Sequence, residues 1–150
     1  MKLDLHLAIY TPHLKIKKEA DKRYIFDPLR KKWLVLQPEE MVRQLMIQYL
    51  IQEKNFSPNL ISIERGLQVN ERAKRFDLLI YNADFKPFML VECKAPQVRI
   101  DNSAFEQAAW YNMPLRVKYL LVTNAMDSYC CQIDYEMRTF AYLESIPEKP

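Results

Sequence analysis

A chain of 150 residues, 49% of them apolar, is the length of one ordinary domain with enough apolar material for one sizeable core. The net charge of +3 is too small to mark a partner, and the single glycine, Gly66, excludes a glycine-rich phosphate loop or dinucleotide fingerprint. Neither a signal peptide nor an apolar run of membrane-span length is present, and Cys93, Cys130 and Cys131 make no disulfide framework or C-x-x-C zinc site, so a cytoplasmic protein with buried thiols and no membrane partner is expected.

The prolines are dispersed and no repeat divides the chain, so residues 1–150 are expected to form one domain, with an N-terminal β extension over 1–36, a core over 37–125 and C-terminal strands over 126–150. Leu14 to Lys18 and Arg23 to Phe26 read as short strands around Ala20-Asp21, followed by a turn at Asp27-Pro28 and a strand at Trp33 to Leu36. From Pro38 the period changes. Val42, Leu45, Met46, Tyr49 and Leu50 recur at helical spacing, Pro38 suits the first helical position, and Glu39 and Glu40 lie in the electropositive first turn. The helix is expected to end near Lys54-Asn55.

Strands are expected at Leu60 to Val69, Phe76 to Tyr81 and Phe88 to Cys93, separated by turn-like Asn70 to Lys74 and Asn82 to Pro87; such short connections imply an antiparallel meander. Ser103 suits the cap of a second helix through about Asn112, stopped by Pro114, and Tyr119 to Thr123 is an apolar strand. Tyr129 to Asp134 and Arg138 to Tyr142 add a final hairpin or extend the edge. The expected class is α/β, with a mixed central sheet flanked by helices.

Basic residues are bunched at Lys15, Lys17, Lys18, Lys22 and Arg23, at Arg30, Lys31 and Lys32, and at Arg72, Lys74 and Arg75. Each bunch is either a solvated face or a phosphate-contacting surface. More specific are three charges that abut apolar strand runs: Asp77 at the start of one strand, and Glu92 and Lys94 at the end of the next. Residues two apart on a strand share a face, so Glu92 and Lys94 project together while Cys93 points away. Antiparallel pairing brings Asp77 beside Glu92. Two carboxylates so placed repel unless a cation joins them, which describes a magnesium site with a lysine beside it; the alternative is an ion-pair cluster at strand ends.

Asp77 and Glu92-Cys93-Lys94, in the order helix, three strands, helix, strand, resemble the PD-(D/E)XK nuclease superfamily, with Phe76 in place of its proline. Further blocks, Pro38-Glu39-Glu40-Met41-Val42-Arg43-Gln44, Arg75-Phe76-Asp77, Val91 to Pro96, Gln107-Ala108-Ala109-Trp110-Tyr111 and Val122-Thr123-Asn124, are similar to the N-terminal nuclease domain of type I restriction enzyme R subunits. The resemblance implies a restriction-endonuclease-like core and Mg2+-dependent hydrolysis of DNA phosphodiesters, with Mn2+ as a substitute. Asp77, Glu92 and the Cys93 backbone carbonyl would hold the ion, and Lys94 would orient the attacking water or stabilise the transition state. It also implies a helix-borne glutamate that supports the metal through water, and a Gln-x-x-x-Tyr element, matched by Gln107 and Tyr111, that orders the site or the DNA.

Glu39 precedes Val42 by three and Met46 by seven, which puts it on the stripe facing the sheet and Glu40 toward solvent, so Glu39 is the expected supporting acid. Arg43 either contacts phosphate, as Lys31, Lys32, Arg72 and Lys74 are expected to do, or pairs with Glu39. Ala125 stands where the group often has glycine, and the sequence shows no helicase motor, so the module is expected to be recruited or regulated by other proteins, restriction or repair proteins among them, or to cut without them. The competing readings are a non-cleaving DNA- or protein-binding module on the same fold and a repair or junction-resolving nuclease, the last requiring a homodimer rather than a monomer.

Overall fold

The computed structural model describes the backbone of residues 2–63, 67–69, 72–74, 77–111 and 113–150, and the side chains of these apart from 67–69, 72–74 and 111. Of the positions named above, Gly66, Asn70, Arg75, Phe76 and Asn112 lie outside the described residues, as do the side chains of Arg72, Lys74 and Tyr111. Among the described residues no helix is long and apolar enough to cross a membrane.

The chain opens with a 3-10 helix, Leu7–His13, that no periodicity in the sequence signals; it buries Leu7 and Tyr10. Strands β1 (Ile16–Glu19), β2 (Lys22–Asp27) and β3 (Lys32–Val35) then form an antiparallel sheet in which Lys17 lies opposite Tyr24, Tyr24 opposite Val35 and Phe26 opposite Trp33. The β2–β3 turn is organised by the fully buried Asp27, whose Oδ1 accepts hydrogen bonds from the Leu29 and Arg30 N–H groups at 2.9 and 3.0 Å. An aspartate that bonds the backbone two residues on is the usual local device for such turns.

Helix α1 (Pro38–Gln52) starts on proline, with Glu39 and Glu40 in its first turn, and ends two residues before the expected stop. After it come β4 (Ile61–Ile63), β5 (Leu67–Val69), β6 (Arg72–Lys74), β7 (Leu78–Tyr81) and β8 (Pro87–Cys93). Helix α2 (Asn102–Tyr111), β9 (Tyr119–Thr123), β10 (Ser128–Asp134) and β11 (Thr139–Tyr142) complete the chain. Six strands form the central sheet in the order β11-β10-β9-β8-β7-β4. Only β8 and β9 run parallel, and α2 supplies the crossover that a parallel neighbour needs.

The expected strand Leu60 to Val69 is two separate pieces. Leu60 closes a 3-10 turn, Ile61–Ile63 joins the central sheet beside β7, and Leu67–Val69 pairs with Arg72–Lys74 in a ribbon of its own. The connection read as Asn70 to Lys74 therefore gives its last three residues to a strand. The physical reason is that apolar alternation reports which residues can sit on a sheet but not which sheet they join. The cap of α2 also differs. Asp101 Oδ1 accepts from the Ala104 N–H at 3.0 Å and from Ser103 Oγ at 2.9 Å, so the carboxylate caps the helix and the serine hydroxyl is its donor.

The central sheet is covered on both faces, which explains its nearly uninterrupted apolar strands. Alternate residues go to opposite sides. Leu78, Ile80, Met89, Val91, Cys93, Leu121 and Cys130 pack with Val42, Met46, Ile47 and Leu50 of α1, whereas Leu79, Leu90, Leu120, Val122 and Cys131 pack with Phe105, Ala108 and Ala109 of α2. Each such side chain contributes roughly 1.5–3 kcal/mol when fully buried, so a one-residue slip of any central strand is strongly disfavoured and the strand ends are held in fixed register.

Candidate active site

The paired ends of β7 and β8 lie next to the first turns of α1. Asp77 occupies a bend just before β7, and the register that sets Leu78 opposite Val91 carries it beside Glu92. It is 8% exposed and both of its oxygens are engaged: Oδ1 accepts from Arg43 Nη2 at 2.8 Å and Oδ2 accepts from the Cys93 N–H at 2.7 Å. The second bond fixes the bend to the end of β8. Cys93 itself is fully buried on the α1 side of the sheet, and burial pushes its thiol well above the ordinary range, so its side chain is an uncharged packing group.

Arg43 is only 5% exposed and spans two carboxylates, donating from Nη1 to Glu40 Oε1 at 2.7 Å as well as to Asp77. Glu40 is also approached by Arg30 Nη2 at 3.9 Å, and Arg30 Nε donates to Asp27 Oδ2 at 2.8 Å. Opposite charges thus alternate from the β2–β3 turn through α1 to the sheet: Asp27, Arg30, Glu40, Arg43, Asp77. For buried ions, attraction to partners on both sides offsets the several kcal/mol of desolvation that each one costs.

Glu92 is the least compensated of these acids. Its side chain is 16% exposed, and among the described residues its nearest cation, Lys94 Nζ, is 3.8 Å from Oε2. Burial first, then the charge of Asp77, push the Glu92 carboxyl up to about 7, with Lys94 opposing the rise and Glu39 adding to it. Lys94 is held by its backbone, which donates to the Thr123 carbonyl at 2.8 Å, while its side chain stays partly open to solvent. Beyond β9, Asn124 is buried and secures the loop after Lys94 through Nδ2 to the Val98 carbonyl at 2.8 Å. The next residue, Ala125, has φ 75°, a left-handed conformation that favours glycine.

The expected facing of the two α1 glutamates is reversed. Glu39 is exposed, and Glu40 is the inward acid whose oxygens meet Arg30, Arg43 and Gln44. The first turn of a helix is not bound to the stripe of the turns that follow, because its orientation is set by the arginines that reach it. Glu39 nevertheless lies within electrostatic reach of Glu92 and Cys93. Arg43, expected to touch phosphate or Glu39, is buried on Glu40 and Asp77. Gln107 is exposed on α2, and Lys31 and Lys32 are exposed at the β2–β3 turn. Sequence reading missed Glu40, Arg30 and the Arg43 to Asp77 bond; an i, i+3 Glu-Arg spacing was the one available signal for the first of these contacts.

A divalent cation fits part of this geometry. The Asp77 and Glu92 carboxylates repel, and among the described residues each Asp77 oxygen accepts one hydrogen bond, which leaves a second lone pair. Among the described residues, however, no group of three His, Cys, Asp or Glu side chains is drawn together as a metal cage, so any ion would take its other ligands from backbone carbonyl and water.

Residues 38–147 match the family described as type I restriction enzyme R protein N terminus. Among solved structures, a fragment described as the HsdR subunit of a type I restriction enzyme from Vibrio vulnificus YJ016 is similar, with 21% identity and a TM-score of 0.48 over 68% of this chain; the similarity spans 22% of that one. No curated protein matches. The match over 38–147 covers most of the chain, which belongs to the type I restriction enzyme R protein N-terminal family.

Proposed function

We propose that this member of the type I restriction enzyme R protein N-terminal family is a Mg2+-dependent DNA endonuclease module of the PD-(D/E)XK type, acting with other restriction proteins. The observation that carries the reading is the meeting of Asp77 with the undercompensated Glu92 beside Lys94, at the paired ends of two buried strands. Asp77, Glu92 and the Cys93 carbonyl are the groups that would hold the ion, with Glu39 at the open side to accept from its waters. The chemistry such an ion would supply there is activation of a water and compensation of phosphoryl charge.

The chain's own residues supply the rest. Arg43 aims one oxygen of Asp77, and the Cys93 N–H fixes the other. Lys94 has donors and no lone pair, so its task is to orient the attacking water and to stabilise charge that develops at phosphorus. Gln107 and Tyr111 on α2 position the strand, and Lys31, Lys32, Arg72 and Lys74 contact phosphates, which gives affinity without sequence preference.

A second reading, a non-cleaving DNA-binding module, is favoured by one feature: the cation already in contact with Asp77 is the Arg43 side chain. Calorimetric Mg2+ titration beside a cleavage assay on linear, supercoiled and branched DNA separates the two. The nuclease reading expects metal binding, cleavage that stops in excess chelator, and loss of both in Asp77→Asn. DNA binding with no Mg2+ uptake, or cleavage that survives the chelator, overturns it.

A further inference from the structure

The family match begins at residue 38, so the β1–β3 sheet stands outside it. The chain's positive charge is concentrated there. Residues 1–37 hold nine Lys and Arg against four Asp and Glu, a net +5 within a total of +3, which leaves residues 38–150 at −2. The two faces of this sheet differ. Ile25 and Asp27 are buried on one, whereas the other carries Lys15, Lys17, Tyr24, Phe26, Trp33 and Val35, of which Trp33 is 39% and Val35 47% exposed.

On that open face cations and rings alternate. Phe26 and Trp33 meet edge to face at 5.3 Å; Lys17 Nζ lies 4.4 Å from the Trp33 ring centre and 6.0 Å from that of Tyr24, and Lys15 Nζ 5.6 Å from Phe26. An acid shares the face: Glu19 meets Lys17 Nζ, the same ammonium that lies over the Trp33 ring, at 3.0 Å.

We propose that the open face of β1–β3 is a stacking platform for single-stranded DNA. Rings presented on a sheet and interleaved with lysines offer a surface to the base and a cation to the phosphate of each nucleotide, and an unpaired strand is the polyanion whose base faces are free to stack. A duplex hides those faces. The platform is also tied to the acid centre, because the β2–β3 turn is the origin of the Asp27, Arg30, Glu40, Arg43, Asp77 chain. The choice of DNA rests on the function proposed above; the single-stranded form rests on the rings and charges of this sheet.

The experiment is fluorescence anisotropy of a labelled oligothymidylate of about 12 nucleotides, a length within the site size of such platforms. It is run in chelator so that nothing is cut, beside a duplex of equal length, the matching RNA, and phosphatidylserine vesicles. The wild type should bind the DNA single strand more tightly than the duplex and quench its tryptophan emission. Trp33→Ala should weaken single-strand binding roughly tenfold or more and leave the duplex unaffected, and Trp33→Phe, which keeps a ring, should restore most of the loss.

Equal affinity for duplex and single strand, preference for vesicles or RNA, or wild-type affinity in a folded Trp33→Ala overturns the platform. Should Trp33→Ala not fold, wild-type affinity in the double variant Lys15→Gln, Lys17→Gln with an unchanged salt slope overturns it equally. Cleavage separates the two proposals. Ring-dependent binding without any Mg2+-dependent cleavage removes the nuclease alone, and cleavage with ring-independent binding removes the platform alone.

Discussion

Glu92→Gln removes a buried and poorly compensated charge while keeping the shape of the side chain. The Glu92 carboxyl titrates near 7 in the folded protein against an ordinary value of 4.5. A raised carboxylate pKa means that the folded state holds its proton longer than the unfolded chain does. Below about pH 4.5 both states are protonated and nothing is lost; between 4.5 and 7 the penalty accumulates, and above 7 it is complete. At about 1.4 kcal/mol for each pH unit of difference, the full penalty is about 3–4 kcal/mol, or roughly 6–16 °C in Tm for a domain of this size.

In chelator, Glu92→Gln should therefore match the wild type near pH 4.5 and exceed it by several degrees at pH 8, read by thermal melts across that range. Saturating Mg2+ should raise the wild-type Tm and leave the variant where it was, since ligation offsets in one protein a charge that the other lacks. A difference between the two that does not change with pH, or a variant less stable than the wild type at pH 8, refutes the electrostatic account of this site.

Arg43→Ala leaves the Asp77 and Glu40 carboxylates buried without their common cation and should cost about 3–5 kcal/mol, measured by urea denaturation. Lys94→Ala should bind Mg2+ normally by calorimetry and cleave about a hundredfold more slowly, because the lost group is a donor rather than a ligand. Ala125→Gly relieves a left-handed alanine and should raise Tm by a degree or two in a scanning melt, with the loss of chain stiffness offsetting part of the gain.

What the sequence made legible was the part governed by short-range periodicity. The helical stripe of α1, the apolar strands β7, β8 and β9, and the strand-end position of Asp77 and Glu92 follow from spacing and from antiparallel pairing alone. The split of Leu60 to Val69 did not, because sheet membership is a long-range property that local alternation does not encode. Nor did the inward turn of Glu40. The apolar stripe ranks the faces of a helix by burial of carbon, whereas Glu40 turns inward to meet Arg30, a residue of the β2–β3 turn, and Arg43 one helical turn on. Charge pairing across elements overrides the stripe in the first turns of α1.

That override divides the work at the two acids of the centre. Asp77 has a permanent counter-cation in Arg43 and a backbone donor in Cys93, so its geometry is fixed whether or not an ion arrives. Among the described residues Glu92 pairs with Lys94 alone, at 3.8 Å, and burial with the charge of Asp77 raises its carboxyl to about 7, so a proton or a further positive charge would stabilise it. On the proposed metal-dependent reading, an external cation would meet a site half prepared: one ligand would need no reorganisation, and the other would gain the stabilisation that drives uptake. Had Arg43 reached Glu92 as well, both carboxylates would be satisfied within the chain, and there would be no electrostatic reason for a metal to enter.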